Sequence, residues 1–253
     1  MSTNIINNKK KKRRQMNHIL LATTITTDTA AIATTTTATS AVATTTTVAT
    51  AVVPFQLKVI TGPMFSGKST VLYNAIYKHD KILKKKTFII GYLYDTRSGY
   101  FLQTHSGLKI PYSCFFSQLL DLLNKKPQQD KQYDNFLSAD FVVIDEAHFF
   151  DDLYEFIQMI RKPPYSKQNI MIGGLYADYR GIPFPNIVRL LPFATKVKFM
   201  HALCTECSDG TKATLTKKID NTAAATATTA AAAKIVGGSE KFAPVCWKHH
   251  QYE

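Results

Sequence analysis

From Phe55 onward, short apolar runs alternate with stretches of helical apolar spacing. Phe55-Gln56-Leu57-Lys58-Val59-Ile60 reads as a strand, and Val71 to Tyr77 as the first turns of a helix. Lys86 to Leu93 reads as a buried strand, and Phe115 to Asn124 has helical spacing. Ala139 to Ile144 is a strand ending in the carboxylate of Asp145. Asp151 to Arg161 reads as an amphipathic helix, stopped by Pro163-Pro164. Asn169 to Gly174 and Thr195 to Met200 are further strands. This β-α-β rhythm predicts an α/β fold, a mostly parallel sheet with helices on both faces. Ligands of such sheets bind beyond the carboxyl ends of the strands.

The first 50 residues lack this pattern. A basic run, Lys9 to Arg14, is followed by a Thr/Ala tract with no glycine, no proline and one acid, Asp28. Alanine and isolated valines cannot supply a core, so disorder is expected over 1–51. A second such patch, Thr222 to Ala233, interrupts the C-terminal region. Without both, roughly 190 residues remain, enough for one α/β domain and a small appendage. The formal charge is +13, and six of the basic residues lie in the run at 9–14. Much of the excess therefore belongs to the tail. The run suits nuclear import, polyanion binding or an organellar targeting peptide, and its composition most favours a solvated extension. No apolar stretch approaches the ~18 residues of a membrane span.

The chemistry begins at Gly62-Pro63-Met64-Phe65-Ser66-Gly67-Lys68-Ser69-Thr70, which fits G-x-x-x-x-G-K-[ST] between a strand and a helix. In such a phosphate loop, glycines let backbone N–H groups converge on phosphate oxygens. Lys68 adds a positive charge near the transferred phosphate, and Ser69 offers a hydroxyl to Mg²⁺. Val142-Val143-Ile144-Asp145-Glu146 has the form of a metal-binding strand end. Asp145 is expected to hold Mg²⁺ through water, opposite Ser69, and Glu146 to take a proton from an attacking hydroxyl or water. Asp145-Glu146-Ala147-His148 also spells the signature of one helicase class. A DEAH-type, nucleic-acid-dependent ATPase is thus the rival reading. Such motors need two tandem nucleotide-binding domains, about twice the core available here.

Of four cysteines, Cys114 stands alone in an apolar-aromatic setting, and Cys204 and Cys207 form a C-x-x-C. Cys246 and His249 repeat the two-residue gap, with 38 residues separating Cys207 from Cys246. With no secretory apolar segment at the start, a reducing compartment is expected, and paired thiols then point to metal. A Cys₃His set suits tetrahedral, structural Zn²⁺. His250 is an alternative fourth ligand.

Several blocks together resemble the cytosolic-type (type II) thymidine kinase family. They are the loop Gly62 to Thr70, Asp95-Thr96-Arg97, Thr104-His105, Ile144 to Phe150, Arg180-Gly181-Ile182-Pro183-Phe184, Cys204-x-x-Cys207, Thr216-Lys217-Lys218, Val236 to Phe242 and Cys246-x-x-His249. They occur in the family's order across roughly residues 55–250. The resemblance implies a P-loop NTPase (RecA-like) domain over 52–203. It implies a zinc-binding domain over 204–253 with a substrate-covering lasso loop, carrying the low-complexity insertion at about 221–233. It implies transfer of the γ-phosphoryl of ATP to the 5′-hydroxyl of thymidine, with Glu146 as general base and Asp145 as Mg²⁺ ligand. Asp95 is expected near the metal and Arg97 near the phosphates, alongside Ala147 and His148. Met64, Phe149, Leu175, Tyr179 and Phe242 would wall the base pocket. Thr216 and the backbone of Ala233, Lys234, Ile235, Val236 and Gly237 would hold the thymine edge. Homotetramer assembly, inhibition by dTTP and a cytoplasmic location are also implied, with no membrane and no specific nucleic-acid partner. The sequence departs from the family pattern at His148, usually glutamine, at Phe242, usually tyrosine, and at Tyr176, often aspartate.

Overall fold

The structure is a computed structural model that describes residues 55–97, 99–125, 130–165, 169–219 and 235–250. The expectations for the first 51 residues, for the insertion at 221–233 and for Ala233 and Lys234 lie outside the described residues.

Six parallel strands form one sheet in the order β5-β2-β6-β7-β1-β8. They are β1 (Gln56–Thr61), β2 (Thr87–Tyr92), β5 (Cys114–Phe116), β6 (Phe141–Ile144), β7 (Asn169–Gly174) and β8 (Lys196–Phe199). Inner strands β2, β6 and β7 read as near-continuous apolar runs because both faces are covered. Alternation still decides which face each side chain joins. In β6, Val142 and Ile144 enter one core with Leu57, Val59, Phe88, Ile90, Ile170 and Ile172. Phe141 and Val143 enter the other, with Ile60, Ile89 and Met171.

Helix α1 (Lys68–Tyr77) covers the second core through Leu72 and Ile76. The first core is closed by α2 (Leu120–Leu123), α3 (Lys131–Leu137), α4 (Leu153–Ile160) and α5 (Pro185–Val188). In α4, Leu153, Phe156, Ile157 and Ile160 are buried at helical spacing, one continuous stripe.

The structure corrects one element. The helix expected over Phe115 to Asn124 is confined to Leu120–Leu123. Cys114–Phe116 instead pairs with Ile90, Gly91 and Tyr92 as an edge strand. Two aromatics beside a cysteine fit a pleated surface, and sheet pairing overrides the helical spacing.

Two small features lie outside the expected pattern. Strands β3 (Phe101–Gln103) and β4 (Lys109–Pro111) form a hairpin, its turn held by Leu108 N donating to Thr104 Oγ1 at 3.0 Å. After β8, β9 (Ala202–Leu203) pairs with β10 (Lys212–Ala213), and β11 (Leu215–Lys218) with β12 (Phe242–Val245). These share a small core of Ala202, Cys204, Ala213, Val245 and Cys246. Among the described residues, no helix is long and apolar enough to cross a membrane.

Candidate active site

Beyond the carboxyl ends of β1, β6 and β7 lies a cleft of about 390 Å³. The phosphate loop forms its floor. Gly62 has φ 152°, and a Cβ there would stand 2.4 Å from the Met200 carbonyl, so only glycine fits. Gly67 turns left-handed (φ 82°) immediately before α1. That helix has no side-chain cap, which leaves its first N–H groups for an anion. Lys68 Nζ donates to Pro63 O at 2.6 Å, so the ammonium lies over the loop. Burial pulls Lys68 down to about 8, against the opposing pull of Glu146 and Asp145.

The opposite wall is acidic. β6 ends at Ile144, which delivers Asp145 and Glu146 to the cleft. Glu146 sits in the left-handed region, φ 47° and ψ 39°. For a non-glycine residue this costs about 1–3 kcal/mol, and such strain concentrates at functional sites. Its N–H donates to Asp145 Oδ1 at 3.0 Å and its carbonyl accepts from Phe149 N at 3.0 Å, which hold the turn. Burial, then the neighbouring Glu146 charge, raises Asp145 to about 7. Burial would raise Glu146 too, but the Arg97 guanidinium, with Lys68, outweighs it and holds its carboxyl below the usual range. The two adjacent acids thus behave as a coupled pair, with the negative charge favoured on Glu146.

Arg97 joins three segments. Its Nε and Nη2 grip Asp95 as a fork at 2.8 and 2.7 Å. Nη2 also donates to Glu146 Oε1 at 2.5 Å, and Nη1 to Gly237 O at 3.1 Å. Burial works against this charge, but Asp95 and Glu146 more than offset it and raise the guanidinium pKa.

His148 is buried, and its Nδ1 accepts from Leu175 N at 3.3 Å, which assigns the ring proton to Nε2. Burial lowers His148 to about 4, so the ring is neutral.

Of the residues singled out in the sequence, Met64, Phe65, Ser66, Gly67, Lys68, Ser69, Asp95, Arg97, Asp145, Glu146, His148, Phe149, Leu175, Ile235 and Gly237 line the cleft. Gly62, Pro63, Ala147, Tyr179, Thr216, Val236 and Phe242 do not. Ala147 is buried behind the turn. Thr216 Oγ1 accepts from Met64 N at 3.1 Å, and the Tyr179 and Phe242 rings pack 6.3 Å apart. Gln103 and Tyr112 also line the cleft, and nothing in their local sequence marks them.

The four candidate zinc ligands come together. Cys204, Cys207, Cys246 and His249 place their ligand atoms within 4.8 Å of one another. His249 Nδ1 is 3.6, 3.4 and 3.5 Å from the sulfurs of Cys204, Cys207 and Cys246, and the Cys207 and Cys246 sulfurs are 3.7 Å apart. A tetrahedral zinc would set sulfurs about 3.8 Å apart and sulfur from nitrogen about 3.5 Å. The donor set and its spacing therefore fit zinc. His250 lies outside this group, its Nε2 against Tyr179 O at 2.9 Å.

Comparison with known proteins agrees with this site. The family profile described as thymidine kinase matches residues 55–250. A thymidine kinase of African swine fever virus is 33% identical over 156 residues, 61% of this chain and 76% of that protein. One from Choristoneura fumiferana entomopoxvirus is 31% identical over 194 residues, 75% of this chain and 93% of that protein. One from Oryza sativa is 29% identical over 198 residues, 78% of this chain and 66% of that protein. With the profile spanning phosphate loop, acidic strand end and metal cluster alike, the chain belongs to the thymidine kinase family.

Proposed function

We propose that this thymidine kinase moves the γ-phosphoryl of ATP to the 5′-hydroxyl of thymidine, with Glu146 as the base. Family membership makes the chain a phosphotransferase acting on thymidine. The observation that carries the assignment of roles is the pair of adjacent acids on a strained turn, facing Lys68 and the phosphate loop across one cleft.

An ionised Glu146 can accept the hydroxyl proton as the oxygen attacks phosphorus. Lys68 and the α1 N-terminus would cradle the phosphates. Arg97, five donors in a rigid fork, would stabilise charge on the transferring group. Asp145 and Ser69 form a suitable donor set for Mg²⁺, a buried carboxylate beside a hydroxyl in one cleft. Held there, Mg²⁺ would supply charge neutralisation for the transferring phosphate. Phe149 and Leu175 offer apolar surface for a flat base, and the backbone of Ile235 to Gly237 offers polar groups for its edge.

Zinc held by Cys204, Cys207, Cys246 and His249 would be structural, since all four positions are filled by protein. The division at about residue 203, the homotetramer, dTTP inhibition and cytoplasmic location enter this proposal on the family resemblance. The helicase reading gains no support, because the described residues contain one six-stranded sheet rather than two nucleotide-binding units.

The test is mass-resolved phosphorylation of a nucleoside panel with ATP-Mg. Thymidine monophosphate as the main product is the expected result. ATP turnover that requires RNA or DNA, with no thymidine monophosphate formed, would overturn the proposal.

A further inference from the structure

Asp145 is tethered at both carboxylate oxygens. Oδ1 accepts from Glu146 N at 3.0 Å, and Oδ2 accepts from the hydroxyl of Tyr112 at 2.8 Å. The first tether comes with the turn itself. The second comes from a residue 33 positions earlier in the chain, and it is built with some care.

Tyr112 follows β4, and its N–H donates to Tyr100 O at 3.0 Å. The next residue, Ser113, is locked to β2, with its N–H on Ile89 O at 2.8 Å and its Oγ accepting from Ile89 N at 2.9 Å. The Tyr112 ring stands edge-on to Phe115, centroids 5.0 Å apart. Gly91 of β2 makes room for both rings. A Cβ on Gly91 would meet Phe115 Cε1 at 2.9 Å and Tyr112 Cδ1 at 3.1 Å. Backbone, ring packing and a missing Cβ thus all aim one hydroxyl at Asp145.

We propose that Tyr112 is a positioning residue for cation binding, its hydroxyl fixing the plane of the Asp145 carboxylate. This rests on the reading that Asp145 serves Mg²⁺. A carboxylate held by one bond turns readily about its terminal torsion, which has a broad energy profile. Held by two, it keeps one orientation, and each oxygen retains a lone pair for a cation or its water. Mg²⁺ demands near-ideal octahedral geometry, so orientation of a donor is a direct component of affinity. Partners that orient metal ligands commonly contribute ten- to a hundredfold to metal affinity.

The test is Tyr112→Phe in the full chain, which removes the hydroxyl and keeps the ring. Mn²⁺ binding in the presence of a non-hydrolysable ATP analogue, followed by electron paramagnetic resonance, should weaken about tenfold. The Mg²⁺ concentration for half-maximal thymidine phosphorylation should rise by a similar factor. Thymidine KM, measured at saturating Mg²⁺, should change less than these metal constants. A lower melting temperature and raised thymidine KM with unchanged metal constants would reduce Tyr112 to a packing residue and overturn the proposal. Asp145→Asn run in parallel separates the two levels. Weakened Mn²⁺ binding in that variant but not in Tyr112→Phe sinks only the Tyr112 proposal. Unchanged binding in Asp145→Asn sinks the Mg²⁺ reading beneath it as well. If Tyr112→Phe does not fold, Gly91→Ala keeps the hydroxyl but displaces the ring. Mn²⁺ should then bind more weakly, and wild-type Mn²⁺ affinity in Gly91→Ala would count against the proposal.

Discussion

The backbone N–H of Met64, in the phosphate loop, donates to the hydroxyl of Thr216, on strand β11, at 3.1 Å. The hydroxyl is buried, and the bond spans 152 residues of sequence. It ties the floor of the ATP site to strand β11, whose partner β12 leads directly into Cys246. Disorder in the metal cluster therefore has a direct route into the cleft. Cys207→Ser should lose stoichiometric zinc, melt at lower temperature and bind thymidine more weakly, with a smaller change in ATP affinity. Metal content by mass spectrometry, together with separate KM values, checks this. A fully active enzyme without zinc would refute the structural assignment.

Removing the proposed base should be felt in turnover. Glu146→Gln keeps the shape of the side chain but cannot accept the hydroxyl proton. Loss of a general base costs about 10²–10⁴-fold. We expect kcat to fall in that range with ATP binding, measured by calorimetry, little altered. Near-normal turnover would remove Glu146 from the mechanism.

Arg97→Lys tests geometry apart from charge. Lysine retains the positive charge but cannot hold Asp95, Glu146 and Gly237 at once. Loss of one preorganised donor at developing charge costs about 10²–10³-fold. We expect kcat to fall by that order and thymidine KM to rise, because the contact to Gly237 goes too. A variant with wild-type kcat would show that a point charge is enough.

His148 gives the protein a built-in acid sensitivity. Burial lowers its pKa to about 4, whereas the unfolded chain takes up the proton near the ordinary value of 6.5. Below that ordinary value the unfolded state binds a proton that the native state refuses. Stability is therefore complete above pH 6.5 and falls as pH drops toward 4, by up to about 3 kcal/mol from this group. His148→Gln should flatten melting temperature against pH in that window. An unchanged slope would mean that other groups carry the effect.

The family profile starts at residue 55, and the first 50 residues have no composition for a core. A chain starting near Ala51 should phosphorylate thymidine at wild-type rates. Loss of folded, active protein on truncation would show the extension to be part of the fold.

What could be read in the chain depended on how local the cause was. β2, β6 and β7 announce themselves because strands buried on both faces need nearly unbroken apolar runs. The phosphate loop, the acidic pair and the two metal half-sites are fixed spacings, and the described structure gathers each where the spacing implied. Phe115 and Phe116 were misleading because their partner, β2, lies more than twenty residues away, and pairing with it overrode the helical spacing. The three-residue strands β3 and β4 are too short to carry a periodic signal. Tyr112 could not be found at all, since its meaning is a hydroxyl pointing at Asp145 and that exists only after folding. The resemblance named Arg97 but assigned it to phosphates. The structure places it on Asp95, Glu146 and Gly237.

That last arrangement couples two distant stretches of the chain at the acidic turn. Glu146 rests against a guanidinium that lowers its appetite for a proton. The same guanidinium holds the carbonyl of Gly237, in the segment at the mouth of the cleft. One side chain thus joins the proposed base to the backbone of a segment 91 residues further along the chain. A substitution that moves Gly237 would reach Glu146 through Arg97 without touching the acidic turn itself.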